Sequence, residues 1–201
     1  MSFLIRSFLI CLALIVCASE LSAQPAQNRR IRGTIESLDG NILTVKARDG
    51  ASVKIRLTDN YAVSAYVKRE LSDIKPGNYI GVAAMPQADG SQRAISINIF
   101  PESARGLGDG HRPWDLPGST MTNGAVAEAV ASPDGQTLLL KYKDGEKKIT
   151  VPPAASIATF SPGEKSELRP GVAVAVPATT KPDGSLESSR VGYGRDGFAP
   201  N

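Results

Sequence analysis

A chain of 201 residues carrying 23 lysines and arginines against 20 aspartates and glutamates is mildly basic, formally +3. Charges of both signs are interspersed, which suits a solubility role and argues against a dedicated nucleic-acid binder. Both cysteines, Cys11 and Cys17, fall in the apolar N-terminal segment, so the chain beyond it has no disulfide, thiol nucleophile or thiolate metal ligand.

Residues 1–23 have the layout of a secretory signal peptide. Arg6 gives a positive start, Phe8 to Ala18 is an unbroken apolar run, and Leu21-Ser22-Ala23 offers small residues before a cut. The run is shorter than a membrane span of roughly 20 apolar residues, so cleavage without stable membrane insertion is expected. The expected address is periplasmic or secreted. Residues 24–30 form an N-terminal linker.

Beyond it the sequence repeats itself. Gly33 corresponds to Gly124, Asp39-Gly40 to Asp134-Gly135, Asp49-Gly50 to Asp144-Gly145, Pro76-Gly77 to Pro170-Gly171 and Asp89-Gly90 to Asp183-Gly184, at offsets of 91 to 95 residues. The repeats span 31–100 and 123–193, followed by a tail over 194–201. In the first, Ile42 to Ala47 and Ala51 to Leu57 read as strands. Val53, Ile55 and Leu57 alternate with Ser52, Lys54 and Arg56, the period of a half-buried strand. Asp-Gly between such runs predicts tight hairpins with φ > 0 at both turn positions. Tyr66 to Leu71 is read as a short helix, and 78–84 and 92–100 as strands four and five. The second repeat predicts strands at 123–131, 136–142, 146–152, 172–177 and 186–193.

Five strands with an excursion after the third is the order of an OB-type barrel. The pattern is carried by Gly33, Leu43 to Val45, Ile74-Lys75-Pro76-Gly77, and Asp89-Gly90 with Ala94 and Ile97. It resembles a family of exported bacterial β-barrel domains of unknown function, OB-like in fold. Those motifs are turn and core residues, so the resemblance implies a fold and no catalytic residues. The expected fold class is all-β: two tandem small five-stranded OB-like barrels joined by a Gly/Pro-rich connector.

The connector, residues 101–122, is not repeated and holds the only histidine, His111, and the only tryptophan, Trp114. Long unrepeated loops often carry function. Gly106-Leu107-Gly108-Asp109-Gly110 is a poor phosphate cradle, because Pro113 and Pro117 oppose the helix such a cradle needs. Trp114, with His111, Arg112 and Asp115, is a candidate contact for a ligand or partner. The competing reading buries Trp114 between the barrels as a packed connector. His111, Asp109 and Asp115 form a candidate metal set, weak for zinc or copper with one imidazole.

A single histidine and no Gly-x-Ser-x-Gly elbow argue against serine catalysis, and no catalytic residue is assigned. Lys46, Lys54 and Arg56 on strands two and three lack the aromatic platforms that nucleic acid needs. The expectation is a non-catalytic exported binding or scaffolding protein of the cell envelope, with no cofactor, whose partner is an envelope protein or glycan. The alternative is a metal-handling accessory protein centred on His111.

Overall fold

The computed structural model describes residues 28–133 and 135–200. The segment read as a signal peptide, residues 1–23, lies outside them. The described residues are all-β, with three short 3-10 turns and no α-helix. No helix among them is long and apolar enough to cross a membrane.

The first three strands form a meander: β1 (Asn28–Asp39), β2 (Ile42–Ala47) and β3 (Ser52–Lys68). Alternation works as the sequence predicts, with Leu43, Val45, Ile55 and Leu57 fully inside. The first turn differs in type. Asp39 pairs with Ile42 as the last residue of β1, leaving Gly40-Asn41 as the loop. Only Gly40 has positive φ, at 57°, which is the II′ arrangement, in contrast to the I′ expected.

The helix expected over Tyr66 to Leu71 does not form. Tyr66 and Val67 continue β3, paired with Phe160 and Thr159. A 3-10 turn over Leu71–Asp73 follows. Local sequence allowed a helix there, and the cross-strand partner, distant in sequence, decides for a strand.

The remaining strands are β4 (Tyr79–Pro86), β5 (Gln92–Ile99), β6 (Gly110–Pro113), β7 (Thr120–Ser132), β8 (Gly135–Tyr142), β9 (Gly145–Val151), β10 (Ser156–Pro162), β11 (Ala173–Thr180) and β12 (Leu186–Gly194). All belong to one continuous sheet. Within it β1, β2, β3, β12 and β11 close on themselves through a parallel β3–β12 pairing. In the same way β4, β5, β9, β8 and β7 close through a parallel β5–β9 pairing.

A closed five-stranded barrel is therefore present, but the rings do not follow the repeat boundaries 31–100 and 123–193. β1, β2 and β3 of the first repeat close with β11 and β12 of the second. β4 and β5 of the first close with β7, β8 and β9 of the second. The repeats have exchanged their last two strands. One cause is the unbroken length of β3, which runs 17 residues. Its counterpart in the second repeat is interrupted at Pro152-Pro153, which cannot donate to a ladder, and so becomes β9 and β10. β10 bridges the rings, antiparallel to β3 and parallel to β5.

Each ring has its own core. Ile31, Ile35, Leu43, Val45, Ile55, Leu57, Val174, Val176 and Val191 fill the first. Ile80, Val82, Ile97, Val126, Leu138, Leu140, Ile149 and Val151 fill the second. Every fully buried side chain of this size contributes roughly 1.5–3 kcal/mol relative to exposure.

Candidate binding cleft

The connector is a structured element. After a 3-10 turn over Glu102–Ala104 the chain passes through glycines of positive φ at 106, 108 and 110. It then forms β6, which pairs with β7: His111 opposite Thr122 and Arg112 opposite Met121. The Trp114 backbone N–H donates to the Ser119 carbonyl at 2.9 Å and holds the hairpin beyond the strand.

Strand alternation separates the residues that the sequence grouped together. His111 faces Tyr142, ring centroids 6.4 Å apart, with its Nδ1 2.8 Å from the Thr122 hydroxyl. Burial, with a smaller contribution from Lys147, pushes its pKa below the usual value. Asp109 accepts hydrogen bonds from the Lys143 backbone N–H at 2.8 Å and the Tyr79 hydroxyl at 3.0 Å. Desolvation first, and then that bond to Asp109, push the Tyr79 phenol up to about 12. Asp115 accepts from Arg32 Nη2 at 2.5 Å and lies 3.8 Å from Arg30 Nε. The proposed metal set of His111, Asp109 and Asp115 is thus dispersed over three separate networks. No group of three or more His, Cys, Asp or Glu side chains gathers in metal-binding geometry among the described residues.

Arg112 and Trp114, two residues apart, are brought together. They line a cleft of about 330 Å³ between the rings, with Leu107 and Gly108 beside them. The cleft lies in the range of small-molecule pockets, at its lower end. β3, β10 and β5 contribute Ser64, Tyr66, Phe160, Ser96 and Asn98, and Phe100 follows β5. Phe160 packs edge-on to Phe100 at 5.3 Å and is tilted against Tyr66 at 6.1 Å. The whole chain has five Tyr, five Phe and one Trp, and four of these eleven line this one cleft.

Two glycines keep the space open. A Cβ at Gly81 would stand 2.8 Å from both Asn123 Oδ1 and the Phe100 ring, and one at Gly192 would stand 2.5 Å from the Tyr66 ring. Asn123 is 5% exposed. Its Nδ2 donates to the Leu107 carbonyl at 2.9 Å, which fixes the amide orientation. Its Oδ1 is buried and has no hydrogen-bond partner among the described residues. Leaving such an acceptor unpaired costs about 1–3 kcal/mol.

The cleft is cationic. Arg30 and Arg112 place their guanidinium carbons 5.0 and 5.6 Å from the Trp114 ring centroid. Burial, as the leading cause, lowers the Arg30 pKa, opposed in part by Tyr66 and Asp115. Arg112 Nη1 donates to the Gly108 carbonyl at 2.8 Å. Arg190 lines the wall contributed by β12. Neither Arg112 nor Arg190 has a carboxylate within ion-pair distance among the described residues.

Arg30, Tyr66, Asn123, Phe160 and Arg190 were not singled out by sequence reasoning. One signal was available. At the offset of 94 that relates Pro76-Gly77 to Pro170-Gly171, Tyr66 falls on Phe160, Gly81 on Ala175, Ser96 on Arg190 and Asn98 on Gly192. Tyr66 and Phe160 also pair directly in the sheet. The cleft therefore sits where the two repeats meet, and its walls differ because equivalent positions have diverged. Comparison with protein-family models, curated proteins and solved structures found no match to this chain.

Proposed function

We propose that this is a non-catalytic, exported binding protein of the cell envelope, periplasmic or secreted, with two OB-like barrels and a small-molecule site between them. The observation that carries this reading is the cleft itself. It is concave and about 330 Å³, with Trp114, Phe100, Phe160 and Tyr66 gathered in a chain poor in aromatics. A binding role is favoured over catalysis by the lining groups. Their charged members are arginines, which stay protonated at neutral pH and serve as neither acid nor base. The one histidine faces away, against Tyr142.

Recovering the protein from the periplasm of a producing bacterium and weighing it by native mass spectrometry tests the reading. A bound small-molecule mass is expected, and it should disappear in Asn98→Trp, which puts a large ring into the cleft from a half-buried strand position. Wild type free of any bound mass, or a mass retained unchanged in Asn98→Trp, would refute the cleft as the site.

A further inference from the structure

We infer that the ligand is a small planar aromatic carboxylate bearing a hydrogen-bond donor at the end remote from its carboxylate. This rests on the cleft being the binding site and goes on to name its chemistry. Three features of the cleft each specify one part of the ligand.

The first is charge. Arg30 and Arg190 stand on strands of one ring, and Arg112 reaches in from the connector. The nearby carboxylate, Asp115, is engaged with Arg32 and Arg30. Arg112 and Arg190 have no carboxylate partner among the described residues. Guanidinium groups lining a concave cleft favour an anion, and their planar fork matches a carboxylate.

The second is the buried Asn123 Oδ1, which stands on the other ring, over Gly81. Its amide nitrogen is already committed to the Leu107 carbonyl. As an acceptor it would be satisfied by an O–H or N–H brought up beside Gly81. The third is the set of ring faces and edges along the cleft, which favours a flat π-system over a saturated body. The divergence of the repeats gives the site its polarity. Arg190 occupies the position equivalent to Ser96, so a cation stands on one wall where the other carries a small neutral side chain. A ligand with unlike ends suits walls that are unlike.

Isothermal titration of the purified chain tests this with 4-hydroxybenzoate, benzoate, 4-hydroxybenzamide and cyclohexanecarboxylate. 4-Hydroxybenzoate should bind best. Benzoate, lacking the donor, and 4-hydroxybenzamide, lacking the charge, should each be weaker by on the order of tenfold, the loss of one hydrogen bond to a buried or charged group. Cyclohexanecarboxylate should be weaker than benzoate. Arg190→Gln, at an exposed position that leaves the cores untouched, should weaken 4-hydroxybenzoate about tenfold and weaken 4-hydroxybenzamide by less. Quenching of Trp114, the only tryptophan, gives a second readout in the cleft. Equal affinity for the amide and the acid overturns the anion assignment. Equal affinity for benzoate and 4-hydroxybenzoate overturns the donor. Cyclohexanecarboxylate binding as tightly as benzoate overturns the aromatic body. No binding by any probe at millimolar concentration overturns the class. A native mass spectrum that still shows a cleft-bound species would in that case leave the binding role standing.

Discussion

His111 and Trp114 stand out in the sequence for one reason, that each is the only residue of its kind. That signal picks out the connector but does not say which way each side chain faces. β6 places His111 against Tyr142 and Thr122 and turns Arg112 and Trp114 into the cleft. The histidine therefore has a consequence for stability that is separate from binding. Burial holds its folded pKa below the ordinary value near 6.5, so in the window just below that value the unfolded chain binds more protons. Its contribution is complete above that ordinary value and is lost as pH falls through the depressed folded one. The melting temperature should accordingly drop between about pH 7.5 and about pH 5, and His111→Gln should drop less. Calorimetry at a series of pH values reads this directly. An identical pH profile for the variant would take His111 out of the account.

Among the strands, what was legible was what is local. Period-two alternation located the first part of β3, the repeat carried the strand reading over to β8 and β9, and the Asp-Gly pairs located the turns; the extension of β3 to Lys68 was not legible. Tyr66 to Leu71 was misread because its partner Phe160 lies far along the chain. The repeated Gly33 and Gly124 acquire a physical role here. Each precedes a bulge, where the register slips between Ile35 and Ser37 in one copy and between Val126 and Glu128 in the other. Both have close backbone neighbours across the hairpin. A Cβ at Gly33 would lie 2.0 Å from the Lys46 carbonyl oxygen, and one at Gly124 would lie 2.5 Å from that of Lys141. Backbone cannot swing aside as a side-chain tip can. Gly33→Ala should therefore cost about 1–3 kcal/mol in urea unfolding, the usual range for overpacking. A change under about 0.5 kcal/mol, as at an ordinary surface site, would show that the bulge can relax.

The exchange of strands between rings could not be read from sequence, because the repeat itself makes the sequence ambiguous. β4 and β5 carry the same pattern as β11 and β12, so either pair satisfies the alternation that either ring presents. Geometry chooses between them: the unbroken β3 against the interrupted β9 and β10. The cleft was hidden for a related reason, since its lining is drawn from both repeats and from the connector between them. This topology separates two behaviours of a cut chain. A protease site engineered between Gly106 and Leu107, where Leu107 is 56% exposed, would yield one fragment carrying β1 to β5 and another carrying β6 to β12. Had each repeat closed its own barrel, the fragments would meet only through a side-by-side interface and would part on dilution. In the exchanged arrangement they share the ladders β1–β11, β3–β12, β3–β10, β4–β7, β5–β9 and β5–β10. Separating them would open both cores at once. The nicked protein should elute from size exclusion as one species at the intact mass, show two bands in a denaturing gel, and come apart only through the unfolding transition. Two separately folded fragments in native buffer would show that the barrels close within their own repeats and that the cleft is not built from both.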